Sequence, residues 1–192
     1  MLALAEIFYS VQGEGVWTGT PAVFVRLAGC NLNCRFCDTD YSTKAFASVA
    51  HIVARVRELG DACPMVILTG GEPLAQAETP DLIAALRADG RRVHIESNGT
   101  IAVALPSDVW LTVSPKERLS PKMAARANEV KLIVDGRVPE DWLPAFAGRE
   151  VATFLQPEGN KPQNVALAVE AAKARPRHFR LGLQTHKFIG IR

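Results

Sequence analysis

Six short apolar runs recur along the chain, at residues 22–28, 65–69, 93–96, 109–113, 130–134 and 152–155. They are mostly continuous aliphatic and β-branched stretches, not apolar/polar alternations. Parallel strands covered on both faces read this way. Between them, residues 48–59, 79–89 and 164–174 carry apolar side chains at helical spacing. Ser48, Thr79 and Asn164 are placed to cap these helices, and Gly60 and Gly90 to stop the first two. Residues 139–147 read as a shorter helix, whereas 97–106 and 115–126 carry no assignable period. The alternation predicts an α/β fold, a partial (open) βα barrel of about six parallel strands, shorter than a full eight-unit barrel. No linker or low-complexity segment divides residues 1–192, so one domain is expected.

In a parallel sheet, ligands sit beyond the C-terminal ends of the strands. The unusual residues fall there. Gly29-Cys30 follows the first run, Gly70-Gly71-Glu72-Pro73 the second and Ser97-Asn98-Gly99 the third. Ser114-Pro115-Lys116 follows the fourth, and Gln156-Pro157-Glu158-Gly159 the sixth. That coincidence points to catalysis. Composition narrows the alternatives: 192 residues with 48% hydrophobic and 22% charged suit a folded domain with a substantial core. A net charge of +2 with no basic run argues against nucleic acid or an acidic membrane as partner. There is no signal-peptide pattern at residues 1–10 and no spanning apolar run, so a cytoplasmic protein is expected.

Three of the four cysteines crowd into Cys30-Asn31-Leu32-Asn33-Cys34-Arg35-Phe36-Cys37. A disulfide between such close neighbours would remove little unfolded-state entropy, so the spacing reads as ligation in a reducing compartment. Thiolates are soft ligands for iron–sulfur clusters or zinc. A structural zinc site asks for four ligands, commonly two pairs, and no second pair exists. Three thiolates on a cubane leave one iron open to a small molecule. Cys63 stands alone and reads as a small buried hydrophobe.

The C-x3-C-x2-C spacing with an aromatic at Phe36 resembles the radical S-adenosylmethionine superfamily. The resemblance implies a 4Fe–4S cluster on Cys30, Cys34 and Cys37 whose open iron is chelated by S-adenosylmethionine. It implies reductive cleavage of that cofactor to methionine and a 5′-deoxyadenosyl radical, which takes a hydrogen from the substrate. It places Gly71 at the cofactor's amino group and Phe36 and Asp38 against the adenine. Ser114, Pro115 and Lys116, with Gln156, Pro157, Glu158 and Gly159, fall to its ribose and methionine end. Each of these loops, read alone, is an ordinary turn.

Gln12-Gly13-Glu14-Gly15, Arg26, Cys37-Asp38-Thr39-Asp40, Ser97-Asn98-Gly99-Thr100, Ser114-Pro115-Lys116 and Gln184-Thr185-His186-Lys187 occur in order along nearly the whole chain. Together they resemble the 7-carboxy-7-deazaguanine synthase family. That resemblance implies ring contraction of 6-carboxy-5,6,7,8-tetrahydropterin to 7-carboxy-7-deazaguanine with loss of ammonia, in queuosine and 7-deazapurine biosynthesis. It also implies Mg2+, an electron donor such as flavodoxin or ferredoxin, and a homodimer. Arg26 offers a planar bidentate donor for the substrate carboxylate, with a structural ion pair as the alternative. Val11, Gln12 and Gly13 are implied at the pterin edge, Thr69 in the same cavity and the terminal carboxylate of Arg192 against the pterin. Thr39 is the implied Mg2+ ligand, consistent with an ion that takes few protein ligands. Glu14 pairs with a pterin amino group or is exposed, and His186 is equally a surface histidine. Two readings compete: a glycyl-radical-enzyme activase, which would not require Gln12–Gly15, Arg26 or Gln184-Thr185-His186, and a zinc-binding interaction module without catalysis.

Overall fold

All six predicted strands form, with ends within two residues of those read from the apolar runs. They are β2 (Pro21–Leu27), β4 (Met65–Gly70), β5 (Arg92–Ser97), β6 (Trp110–Val113), β7 (Glu129–Val134) and β8 (Ala152–Pro157). Three more complete the set: β1 (Leu2–Val11), β3 (Ala45–Ala47) and β9 (Arg180–Leu181). The computed structural model describes residues 1–192, arranged as two compact units. One comprises Met1–Val11, Thr20–Ser97 and Val103–Leu111; the other comprises Gln12–Gly19, Asn98–Ala102 and Thr112–Arg192.

In the first unit the strand order is β3-β1-β2-β4-β5. β2, β4 and β5 are parallel, and their Val23, Val25, Val66, Ile67, Leu68 and Ile95 are wholly buried, as the continuous apolar runs require. β1 lies antiparallel to β2 and β3. It alternates buried Leu2, Leu4 and Phe8 with more open positions, and it lies ahead of the six runs read as strands although Leu2–Ala5 and Ile7–Tyr9 are apolar. The helices α1 (Val49–Leu59) and α2 (Thr79–Ala88) bury Ile52, Val53 and Val56, and Leu82, Ile83 and Leu86. Ser48 caps α1 as expected, its hydroxyl oxygen accepting from the His51 amide at 3.2 Å. Thr79 does not cap α2. It is the first helical residue, and its hydroxyl donates inward to the Pro73 carbonyl at 2.5 Å.

In the second unit β6, β7, β8 and β9 follow one another as parallel neighbours. A short helix, α3 (Pro121–Arg126), lies in the stretch without a sequence period. The helix expected at 139–147 is instead a 3-10 helix at Glu140–Phe146, because Pro144 inside it lacks the donor an α-helix needs. α4 (Pro162–Ala174) starts two residues ahead of the expected cap. Asn164 is buried and links two loops: its Oδ1 accepts from Gly136 N at 2.9 Å and its Nδ2 donates to the Glu158 carbonyl at 3.3 Å. A last helix, α5 (Thr185–Ile189), closes the chain. The open α/β sheet stands as predicted: β3 and β9 end the strand order, and neither pairs with the other. The parallel strands number three in the first unit, β2, β4 and β5, and four in the second, β6 to β9, and an antiparallel β1–β3 pair is added in the first. No helix is long and apolar enough to cross a membrane.

Candidate active site

The cysteine loop leaves β2 through a narrow neck in the first unit. Gly29 N donates to the Tyr41 carbonyl at 2.9 Å, and Gly29 O accepts from Glu72 N at 3.0 Å. The glycine pair at the end of β4, Gly70 and Gly71, makes this approach possible. A Cβ on Gly71 would lie 2.2 Å from Gly29 O and 2.6 Å from Cys30 Cβ, and one on Gly70 would lie 2.0 Å from Leu27 O. Glu72 is wholly buried and fixes the turn: Oε1 accepts from Leu74 N at 3.0 Å, and both carboxylate oxygens accept from the Ser97 hydroxyl, at 3.0 and 3.1 Å. Ser97 is thus assigned a role within the first unit, as the brace of the glycine turn.

Cys30 and Cys34 are half-buried, Cys37 is exposed, and none of the three is in a disulfide. Desolvation, and then the neighbouring Cys37, Cys30 and Cys34, push the Tyr41 phenol pKa up. No three His, Cys, Asp or Glu side chains close on a single-ion cage. A tetrahedral ion with 2.3 Å bonds needs thiolates about 3.8 Å apart. A cubane takes each thiolate on a different iron and keeps one iron open, so three thiols suit a cluster, whereas a structural zinc asks for four protein ligands. Cys63 is buried before β4, its thiol donating toward the Pro21 and Met65 carbonyls at 3.4 Å, as expected of a packing residue.

Phe36 and Thr39 are half-buried on this loop and Asp38 is exposed. Asp40 turns into its own bend, accepting from Ser42 Oγ at 2.6 Å and Ser42 N at 2.9 Å, and pairing with Lys44 at 3.2 Å. These contacts, the Ser42 hydroxyl foremost, hold its carboxyl at about 2. Arg26 stands in a polar row. It is the register partner of Glu6 on β1 and of Thr69 on β4, so the three share one face. Its Nε donates to Glu6 Oε1 at 2.8 Å, and its guanidinium carbon lies 5.8 Å from the centre of the Phe8 ring. The ion-pair alternative is therefore realised, through one of five guanidinium donors.

In the second unit Gln12 and Gly13 are buried. Gly13 O accepts from Thr185 N at 3.0 Å and from Thr185 Oγ1 at 2.8 Å, and a Cβ on Gly13 would lie 2.3 Å from His186 Nδ1. Glu14 is not exposed: Lys131 Nζ donates to Oε2 at 2.6 Å and Gln184 Nε2 to Oε1 at 3.0 Å. Desolvation would raise the Glu14 carboxyl, but Lys131, Gln184 and His186 outweigh it and hold the group below its ordinary range. His186, half-buried, packs against the glycine rather than lying free on the surface.

Lys116 folds back on Ser114, donating to its carbonyl at 2.7 Å and its hydroxyl at 2.8 Å, and Pro115 is buried between them. After β8, Gln156 is 7% exposed, yet its amide oxygen has no hydrogen-bond partner. An unmet buried acceptor costs about 1–3 kcal/mol, so a ligand or ordered water belongs there. Beyond the buried Pro157, Glu158 pairs with Lys161 at 2.6 Å, and Gly159 and Asn160 both adopt positive φ to turn the chain. Arg192 is exposed beyond α5. The predicted residues thus divide: the cluster loop, Gly71, Val11, Arg26 and Thr69 lie in the first unit, and Gln12, Gly13, Ser114–Lys116, Gln156–Gly159 and Arg192 in the second.

Residues 24–109 match the Radical SAM superfamily. The chain is 42% identical to the 7-carboxy-7-deazaguanine synthase of Bacteroides thetaiotaomicron, covering all of both proteins. It is 38% identical to that of Rhodospirillum rubrum over 99% of this chain and 92% of the relative. The chain belongs to the 7-carboxy-7-deazaguanine synthase family. The crystal structure of QueE from Escherichia coli agrees at a TM-score of 0.82 with 31% identity, covering 96% and 94% of the two chains. SuiB of Streptococcus suis bound to S-adenosylmethionine has a TM-score of 0.60 at 11% identity, over 80% of this chain and 48% of that one, and shares the fold alone. As a family member, the chain is a radical S-adenosylmethionine enzyme, a lyase of 7-deazapurine biosynthesis, with a 4Fe–4S cluster and S-adenosylmethionine as cofactors.

Two buried residues of this family member escaped the sequence reading, Glu129 and Lys131 on β7. Their signal was present. Charges at alternate positions in an otherwise apolar strand mark one face that meets something polar.

Proposed function

We propose that the chain converts 6-carboxy-5,6,7,8-tetrahydropterin to 7-carboxy-7-deazaguanine, with Arg26 reading the substrate carboxylate. The observation that carries this is full-length kinship to 7-carboxy-7-deazaguanine synthases together with the intact cysteine loop. Bound to Cys30, Cys34 and Cys37, the cluster with S-adenosylmethionine supplies one-electron chemistry that no side chain offers. The chain's own part is to bind, orient and exclude water. Gly71 lets the backbone approach the amino group of S-adenosylmethionine. Gln156 offers its unmet amide oxygen to the same cofactor, in keeping with its burial; Ser114, Pro115, Lys116, Pro157, Glu158 and Gly159 line that cofactor, and Phe36 and Asp38 take its adenine. Val11, Gln12, Gly13, Thr69 and Arg192 bind the pterin.

Glu6 fixes the Arg26 guanidinium through Nε, which presets its plane for an anion. Losing a charge-assisted, desolvated contact costs about 2–5 kcal/mol, so Arg26→Ala lowers catalytic efficiency on the carboxypterin by about 30- to 4,000-fold. Affinity for S-adenosylmethionine is unchanged, and 5′-deoxyadenosine rises relative to deazaguanine product because radical positioning is lost. Arg26→Lys recovers part of the loss, since it keeps the charge without the fork. Unchanged efficiency and coupling in Arg26→Ala would show that the carboxylate is read elsewhere. A wild-type enzyme inactive on this pterin would sink the substrate assignment itself.

Mg2+ is taken by the Thr39 side chain, substrate oxygens and water, a ligand set normal for this ion. Turnover then falls in chelator and is restored by millimolar magnesium, and Thr39→Ala blunts the response. Equal rates in both media remove the metal from the reaction. Four cysteines outside any disulfide support a reducing, cytoplasmic setting. The reductant is a flavodoxin or ferredoxin, and the functional form is a homodimer.

A further inference from the structure

β7 carries two buried charged side chains on one face, Glu129 at 1% and Lys131 at 7% exposure. Neither belongs to the cysteine loop, the glycine turn or the Gln156 loop. A buried charge is tolerated when it is paired and hydrogen-bonded, so what each one holds reveals its task. Glu129 accepts from Val16 N at 2.9 Å, and Gly15, at φ +69°, would place a Cβ only 1.9 Å from Glu129 Oε1. Lys131 donates to Glu14 at 2.6 Å. Together they clamp the Gln12–Val16 segment at two successive points.

The clamp extends to the end of the chain. Glu14 accepts from Gln184, and Gly13 O accepts twice from Thr185. α5 has only five residues and buries none of them, and Phe188 and Ile189 are 64% and 66% exposed. A helix this short has no stability of its own, and without apolar burial its seat depends on these polar contacts. We infer that Lys131, seconded by Glu129, is a positioning residue that seats the C-terminal segment on the Gln12–Val16 loop and so holds the pterin-reading residues of both in place. The inference deepens the proposed function and rests on it for the word pterin; the seat itself does not.

The test therefore has two readouts. Exposed Lys187 is a tryptic site at the end of the clamp. In the iron-loaded protein, Lys131→Met speeds cleavage after Lys187 by about ten- to hundredfold, the worth of one charge-assisted contact. Iron content and S-adenosylmethionine affinity stay at the wild-type level, while KM for the carboxypterin rises by a similar factor and exceeds the change in kcat. Lys131→Arg restores most of the protection. Because Glu14→Gln would strand a buried ammonium, the partner variant is Lys131→Met/Glu14→Gln, which removes both charges and behaves as the single variant does. Wild-type protection of Lys187 in Lys131→Met or in the double variant overturns the seat. Released protection with an unchanged KM overturns the link to substrate. A wild-type enzyme that ignores the carboxypterin refutes the proposed substrate, while proteolysis still decides the seat.

Discussion

Alanine at Cys30, Cys34 or Cys37 abolishes iron loading and all cleavage of S-adenosylmethionine, whereas alanine at Cys63 leaves both intact. Three thiolates are the minimum protein contribution to a cubane that keeps one iron open, so no member of the trio is dispensable. The loop offers no substitute: the nearby carboxylate of Asp40 is committed to Ser42 and Lys44, and a hard oxygen is a poor ligand for this cluster. Cys63 is buried with its thiol against two carbonyls, so its loss costs about 1 kcal/mol of stability and nothing at the cluster. Iron and sulfide content with visible absorbance of the anaerobic protein read the outcome. Wild-type iron in Cys34→Ala would end the assignment.

Gly71→Ala is expected to be nearly as damaging, although it adds a single methyl group. The new Cβ meets the Gly29 carbonyl at 2.2 Å and Cys30 Cβ at 2.6 Å. A backbone carbonyl cannot rotate aside, and this one also accepts from Glu72 N at 3.0 Å, so relief of the clash moves the neck of the cysteine loop. Overpacking costs about 1–3 kcal/mol, and the rigid obstacle puts this case at the upper end. The displacement falls on Cys30 and on the turn that meets S-adenosylmethionine. Gly71→Ala therefore loses iron, or loads it and binds the cofactor at least about tenfold more weakly. Gly90→Ala is the control: φ is +79° but nothing lies within 4 Å of the added atom, so it strains the backbone without touching the site. If both variants keep full iron and full affinity, the close approach of the glycine turn to the cysteine loop has no functional meaning.

Local signals carried much of this protein into view from the chain alone. β2, β4, β5, β7 and β8 announced themselves as apolar runs because a parallel strand covered on both faces has few exposed positions to interrupt the pattern. The cysteine trio was legible for a related reason: ligation fixes residue type and spacing within one short loop, so the information is contiguous. The same holds for the glycine pair at the end of β4. β1 went unread although Leu2–Ala5 and Ile7–Tyr9 are apolar, because its place beside β2 and its alternating burial emerge only from the antiparallel pairing. Asn164 and Thr79 looked like helix caps because a polar residue before an apolar period does so locally. Tertiary partners, the loop at Gly136 and the carbonyl of Pro73, claimed them instead. Arg26 shows the limit most directly: its sequence context left open a substrate carboxylate or a structural ion pair, and the register with β1 placed Glu6 beside it. Lys131 and Glu14 lie 117 residues apart, and Gln184 and Glu14 170, so no window of sequence contains the clamp. Residue type and short-range spacing determined which chemistry the chain can host. Only the folding of distant segments onto one another decided which charges meet, because that depends on strand register and burial rather than on neighbours along the chain.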